Sequence, residues 1–335
     1  MDCGRANLAA VIYDILAELT APLLALSKDW GDLPKTENGR MQKLNFEGDF
    51  SSFVTFLDET KMDLQGIVHF GFDANLLNEI SEEKRERAYF NKPLVQQIET
   101  AVRVWHKIIE KCLVQYRQLR RENEFVGPVV EIEYWRRQLA RFTCVVEFLE
   151  TDQCKQFIEF IQYVGNNKII KIWKKHVDAA YDTKNECADN VKYLYSMEQY
   201  WQPFYRLEPP QLPQYVQPLL HAVRMVHTTS RYYNSTANVT ALLVKVSNQI
   251  IIKCRNYLNC YGTKTIWNQP KQAVLDKIKT CLDLYLKYYQ CFKHTEQHMS
   301  EADEKRFDCS EMFVFGKLES FQKRLEEIVF VLNTT

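Results

Sequence analysis

Glycine and proline are scarce in this chain, with 10 of each among 335 residues. Sandwiches and barrels need many tight turns, which these two residues mostly supply, so their scarcity argues against an all-β fold. The hydrophobic fraction is 46% and the charged fraction 26%, which is typical of a packed globular protein with a sizeable core. The composition therefore predicts an all-α fold.

An excess of charge of one sign is also missing, since Lys plus Arg and Asp plus Glu both total 43. No bulk charge points to nucleic acid or to a membrane surface, so any electrostatic recognition is expected to be local. The apolar opening of residues 1–19 is interrupted by Asp14 and Glu18, which argues against a signal peptide or a membrane span. We predict an amphipathic helix there, and neither a nucleic-acid nor a membrane partner.

A cysteine framework is missing although the chain has ten cysteines. They form no CxxC pair and lie mostly within helical patterns, so they are predicted to be buried free thiols in a reducing compartment. The best metal candidate is Cys291 with His294 and His298, which share one helix face. No fourth ligand is visible, and a solvated helix end is the simpler interpretation. We predict no metal and no cofactor.

Catalytic motifs are missing as well. Gly316-Lys317 and the segment 262–265 lack the upstream glycine of a phosphate-binding loop. The sequence contains no GxSxG elbow, HExxH helix or EF-hand loop. We predict no catalytic residue, and the chain is not expected to be an enzyme.

Helical periodicity is what the sequence has in abundance. Apolar residues at alternating steps of three and four form two seams, which predict an antiparallel helical hairpin. The first seam is Leu94, Ile98, Val102, Trp105, Ile109, Cys112, Tyr116 and Leu119, and the second is Ile132, Trp135, Leu139, Phe142, Val146 and Leu149. Further helices are predicted at about residues 153–163, 166–181, 187–201, 214–230, 236–260, 270–299 and 316–332. An elongated series of such hairpins is expected, and the alternation near residues 64–73 also allows a short strand pair.

The segment of residues 127–142, GPVVEIEYWRRQLARF, interrupts this helical pattern. Gly127 can end a helix, Pro128 suits the first helical position, and Glu131 and Glu133 favour the positive end of the helix dipole. The two carboxylates lie on different helix faces, without a nucleophile or histidine nearby in sequence. The segment is therefore interpreted as a structural corner between two helices.

Six residues are candidates for partner binding: Arg120, Arg121, Arg136, Arg137, Tyr200 and Trp201. The arginines flank the corner on both sides, and a solvated face is the alternative to an acidic partner. Tyr200 and Trp201 belong to the aromatic stretch 191–206, which could be the core of a helix pair or an interface. Base stacking is disfavoured because few basic residues accompany the stretch.

Five ordered segments resemble the N-terminal tail of axonemal dynein heavy chains. They are residues 127–142, with the pattern G-P-x-x-E-[IL]-E-x-W, and residues 189–205, 231–258, 265–270 and 307–328. The residues of these segments are most similar to those of outer-arm heavy chains of the gamma type, the axonemal heavy chain 5 and 8 class. The resemblance extends over residues 94–332.

This resemblance implies a non-catalytic helical stalk that joins dynein heavy chains to one another and carries intermediate and light chains. The microtubule contact would be indirect, and the location would be the cytoplasm, the cytoskeleton and the axoneme of a cilium or flagellum. Residues 1–88 are expected to be the remnant of a heavy-chain association domain. Residues 93–335 are expected to form the first helical bundles of a tail cut short at its C-terminus. The alternatives are a generic helical tethering scaffold and an ATP-dependent motor, whose ring is missing from this sequence.

Overall fold

The computed structural model describes residues 11–20, 41, 43, 45, 46, 48–50, 52–54, 66–71, 73–118, 127–262 and 265–334. Helices dominate these residues, and no β-strand occurs among them. The all-α prediction is confirmed. Helices α1–α11 are Ala74–Glu79, Arg85–Phe90, Lys92–Gln118, Val129–Glu150, Asp152–Val164, Asn167–Trp201, Pro203–Arg206, Pro213–Thr229, Thr236–Leu258, Lys271–Glu301 and Glu311–Thr334, and Ile15–Thr20 forms a short π-helix.

The strand pair considered near residues 64–73 is not found in the described part of that segment. Two of its backbone carbonyls are engaged by side chains instead of a neighbouring strand. The indole N–H of Trp105 donates to the carbonyl of Gly71 at 2.9 Å, and the thiol of Cys144 donates to that of Val68 at 3.2 Å. The ring of Phe70 also stacks on Phe148, with ring centroids 4.0 Å apart. The described part of this segment therefore packs one side against α3 and α4, whose side chains contact it.

The chain divides into two compact units, each built from two stretches of sequence. Unit 1 comprises Met1–Arg117 with Arg136–Asn185, and unit 2 comprises Gln118–Trp135 with Glu186–Thr335. The boundary predicted between residues 88 and 93 lies inside unit 1. The division into residues 1–88 and 93–335 stays a prediction.

The core of unit 1 is centred on Trp105, which is fully buried. Its ring packs against Phe148 of α4, Phe157 of α5 and Trp173 of α6, with centroid distances of 4.9, 5.0 and 6.4 Å. Four helices therefore meet at one aromatic side chain of α3. The seam prediction is confirmed along α3, because every seam residue from Leu94 to Tyr116 is buried.

The core of unit 2 lies among the helices α8, α9, α10 and α11, which pack on one another. Aromatic rings fill much of it: Tyr288 and Phe292 of α10 lie 5.3 and 5.1 Å from the ring of Phe315 in α11. A bidentate ion pair fixes the segment after α10, because the guanidinium of Arg224 donates to Glu304 at 2.7 and 2.8 Å. This unit thus combines an apolar interior with specific polar ties.

Two predicted helix boundaries differ from the structure. The helices predicted at 166–181 and 187–201 form the single helix α6, since the residues between them include neither glycine nor proline. The helix predicted from residue 316 begins at Glu311, so Gly316 lies inside it. An interior glycine lowers helix stability by only about 1 kcal/mol relative to alanine and does not end a helix by itself. Several helix ends follow local rules: Thr151 and Ser235 act as N-caps, and Gly165 ends α5 with a φ of 84°.

Candidate interaction surface

The corner segment leads into a buried polar cluster in unit 2, the corner cluster, made of Glu131, Trp135, Tyr233 and Lys245. The indole N–H of Trp135 donates to the hydroxyl of Tyr233 at 2.8 Å, and this hydroxyl donates to Glu131 Oε1 at 2.8 Å. The ammonium of Lys245 forms an ion pair with Glu131 Oε2. The indole, the hydroxyl, the carboxylate and the ammonium of this cluster therefore each have a polar partner.

The electrostatics of the corner cluster keep Tyr233 neutral. Burial, reinforced by the negative charge of Glu131, raises the pKa of the Tyr233 hydroxyl well above its ordinary value. A neutral phenol donates its proton to the carboxylate and accepts from the indole. Because Tyr233 and Trp135 have no exposed surface and Glu131 has only 7%, the arrangement stabilises the fold and offers no access to a substrate.

Glycine at position 127 is required by close approach. A Cβ atom there would lie 2.3 Å from the hydroxyl of Tyr205 and 2.5 Å from Oε1 of Gln249. Neither side chain is free to move away. Tyr205 accepts a hydrogen bond from the amide of Val129 at 3.1 Å, and Gln249 donates to the carbonyl of Phe204 at 3.0 Å. Burial raises the pKa of Tyr205 to about 12, so this hydroxyl also stays neutral.

The sequence interpretation of the corner was incomplete for Glu131. It lies in the first turn of α4, as predicted, but it also pairs with side chains 102 and 114 residues away. No local pattern signals those partners, because the helices that carry them are brought there only by folding.

The predicted arginines of the corner are placed differently from one another. Arg136 is exposed and Arg137 is half-buried. Arg120 and Arg121 lie outside the described residues. The structure also buries Arg141, whose guanidinium lies 3.3 Å from the side-chain oxygen of Gln115. Partner binding by the four predicted arginines stays a prediction.

The two predicted aromatic residues of α6 are in different environments. Trp201 is fully buried and Tyr200 is half-buried. The core interpretation is therefore favoured for Trp201, because an indole without accessible surface cannot contact a partner unless the fold opens. Tyr195 of the same helix, which was not among the predicted residues, is 65% exposed.

The Cys291, His294 and His298 cluster does not converge. Cys291 is buried, and burial raises the pKa of its thiol. His294 and His298 are exposed, with their Nε2 atoms 3.1 Å apart. Among the described residues, no group of three or more His, Cys, Asp or Glu side chains is arranged to hold a metal ion. None of the nine cysteines that the structure describes forms a disulfide.

A surface that the sequence analysis missed runs between α9 and α11. This α9–α11 groove has a volume of about 570 Å³. Its apolar lining includes Ile252, Met312 and Phe313, and its cationic lining is Arg255, Lys317 and Arg324. The sequence analysis predicted a helix at about residues 316–332 and identified no exposed face on it, whereas Leu318 and Leu325 lie on its buried side. The available signal was the apolar pair Met312-Phe313, just before the predicted start of that helix.

Comparison with known proteins assigns the region that contains both the corner cluster and the groove. Residues 95–335 match the family described as dynein heavy chain, N-terminal region 1.

No helix in the described part of the chain is both long and apolar enough to cross a membrane.

Similarity to individual proteins extends over nearly the whole chain. It is 35% identical to dynein axonemal heavy chain 8 of Homo sapiens, over 96% of this chain and 7% of the human protein. It is 32% identical to dynein axonemal heavy chain 5 of Mus musculus, over 100% of this chain and 7% of the mouse protein. The flagellar outer-arm dynein gamma chain of Chlamydomonas reinhardtii is 24% identical, over 96% of this chain and 7% of its own length. The chain thus spans a small part of the relatives it matches.

Proposed function

The chain belongs to the dynein heavy chain family through N-terminal region 1, and from this premise we propose that it is a non-catalytic assembly segment of an axonemal dynein tail. In this role it associates with other dynein heavy chains and docks intermediate and light chains within the axoneme of a cilium or flagellum. Contact with the microtubule is indirect.

One observation carries this proposal. The similarity to axonemal heavy chains covers 96% to 100% of the chain at 32% to 35% identity. A likeness of that extent involves helices of both units and is not confined to one motif. The assignment therefore concerns the segment as a whole.

The proposed mechanism is positional. Helices with buried seams hold their polar faces at fixed spacing, so that a partner meets a preformed surface. The corner cluster contributes because it ties the start of α4 to Tyr233 and to Lys245 of α9. Arg136 and Tyr200 are proposed as contact residues within this segment, and Arg120, Arg121 and Arg137 accompany them.

The test is capture of dynein subunits from an axonemal extract by the tagged, folded chain, followed by cross-linking and mass spectrometry. We expect recovery of dynein heavy and intermediate chains. Arg136→Glu and Tyr200→Ala should reduce it, whereas Lys171→Glu and Tyr195→Ala, at exposed positions of α6 outside the predicted site, should not. A folded chain that captures no dynein subunit would contradict the assembly role, and ATP hydrolysis by the purified chain would contradict the non-catalytic assignment.

A further inference from the structure

We propose that the α9–α11 groove binds an amphipathic helix with an acidic flank, carried by a separate dynein subunit. The inference rests on the proposed function, since it names one surface through which the assembly segment would dock a partner. Shape, apolar exposure and charge each support it.

Helix α11 packs on α9 and α10 but leaves four large apolar side chains exposed. Met312 and Phe313, in the first turn of α11, are 81% and 73% exposed. Phe330 and Val331 are 70% and 43% exposed. Met312 and Phe330 are 18 residues apart, which is about five turns, so they lie on the same side of the helix and about 27 Å apart. Charged residues, Lys323 and Glu327, lie on that side between them, so α11 presents two separate exposed apolar pairs, of which Met312 and Phe313 line the groove. Exposed apolar side chains that line a groove are typical anchoring points for a partner helix.

The floor of the groove allows close approach. Gly316 and Ser320 line it, one turn apart on α11. A Cβ added at Gly316 would meet only Cγ of Met312, at 3.9 Å. Small residues at the base with large apolar residues beside them suit a helix laid into a groove, where its apolar side chains anchor it.

The charge of the groove selects the chemistry of the partner. Arg255, Lys317 and Arg324 line the groove, and no carboxylate does. The guanidinium of Arg255 lies 6.0 Å from the ring centroid of Phe321, at the apolar wall. Since the whole chain has equal numbers of acidic and basic residues, this cationic lining is a local feature. It favours a helix with Glu or Asp beside its apolar stripe and disfavours a basic one.

The first test compares two exposed phenylalanines in the axonemal capture experiment. Phe313→Asp should abolish the recovery of one dynein subunit while other subunits remain. Phe90→Asp is the matched control, because Phe90 is 80% exposed and lies in unit 1. If both variants capture the same subunits as the unchanged chain, the groove proposal is overturned and the assembly role stands. If the unchanged chain captures no dynein subunit, the proposed function fails, and the next experiment decides the groove alone.

The second test uses two designed, fluorescein-labelled helical peptides of 20 residues each that share one leucine stripe. One has glutamate beside the stripe and the other has lysine. We expect fluorescence anisotropy to show preferential binding of the glutamate peptide, weakened about 30-fold by Phe313→Asp. The double change Lys317→Glu with Arg324→Glu should weaken it about tenfold, and Lys279→Glu on α10 should not.

Equal affinity for the two peptides, or binding unaffected by Phe313→Asp, would overturn the proposal. Analytical ultracentrifugation of the chain alone tests a second copy of the chain as the occupant. Dimerisation that is lost in Phe313→Asp but kept in Phe90→Asp would assign the groove to a second copy of the chain and would also overturn it.

Discussion

Each unit contains a fully buried tryptophan whose indole is hydrogen-bonded, Trp105 in unit 1 and Trp135 in unit 2, but the two indole N–H groups donate to different kinds of acceptor. In unit 1, Trp105 donates to the main-chain carbonyl of Gly71 and is otherwise surrounded by aromatic rings. In unit 2, Trp135 donates to a side chain, the hydroxyl of Tyr233, which in turn requires Glu131. The buried carboxylate then requires Lys245.

The difference shows that one buried N–H donor, when its acceptor is a side chain, requires further buried polar groups. A main-chain carbonyl is present whatever the side chains are, and once it accepts the indole N–H it needs no further side chain as a partner. A side-chain acceptor must itself be satisfied, so the network grows until it reaches a charge that is paired. Unit 2 is therefore expected to be more sensitive to the loss of a single polar group than unit 1.

The largest expected effect does not distinguish the units. Trp135→Ala and Trp105→Ala should each lower the free energy of unfolding by about 3–5 kcal/mol, because both remove a fully buried indole. Urea unfolding measures the loss in free energy for the whole chain, and amide hydrogen exchange shows in which unit protection is lost. Trp267→Ala is the control, since Trp267 is 63% exposed. An unchanged melting temperature for Trp135→Ala would refute its core assignment.

Removal of one charge tests the corner cluster within unit 2. Lys245→Met leaves the carboxylate of Glu131 buried without its counter-ion, and we expect a loss of about 3–5 kcal/mol. The double variant Lys245→Met with Glu131→Leu should regain most of it. For comparison, Lys293→Met breaks the half-buried pair with Glu311, in the same unit, and should cost about 0–1 kcal/mol. Equal losses in the Lys245 and Lys293 variants, measured by urea unfolding, would contradict the corner cluster.

Replacing a glycine by alanine in each unit tests how closely neighbouring atoms approach the glycine Cα atom. A Cβ at Gly66 would lie 2.6 Å from the carbonyl oxygen of Arg137, and φ at Gly66 is +76°. A Cβ at Gly127 meets side chains, of which Tyr205 is the nearest. Gly66→Ala should therefore destabilise more than Gly127→Ala, for which we expect about 1–3 kcal/mol. Gly316→Ala, in the open interior of a helix, should stabilise by up to about 1 kcal/mol. Thermal unfolding of the three variants tests this order.

The smallest expected effect depends on pH. The hydrogen bond from Arg224 lowers the pKa of Glu304, so the folded chain binds this proton less tightly than the unfolded chain. The pair therefore contributes stability above the ordinary carboxyl pKa of 4.5, and this contribution is lost as the pH falls through the lower folded value.

Glu304→Gln tests this dependence. It should cost less than about 1 kcal/mol at neutral pH, because the pair is partly solvated. The difference from the unchanged chain should shrink in acid. A difference that is constant from pH 7 to pH 3 in urea unfolding would show that Glu304 does not act through its charge.

Much of the fold could be predicted because helical periodicity is a local property. In the second seam, Ile132, Trp135, Phe142, Val146 and Leu149 are all buried, and Leu139 is half-buried. The strand pair considered near residues 64–73 is an example of what periodicity leaves undecided. The residues 67–70 have an alternating pattern, but a pattern reports which side of a segment is covered and not whether a strand or a helix covers it.

The sequence alone determined the helical class, the buried side of each long seam, and the family, since these depend on residue spacing and on segments read in order. Only the tertiary structure decided what each buried side meets. It paired Glu131 with Tyr233 and Lys245, enclosed Trp201, and left Met312 and Phe313 exposed beside a cationic groove. The reason is physical: periodicity specifies a direction on one helix, whereas a contact needs two helices whose relative placement depends on the packing of the whole unit.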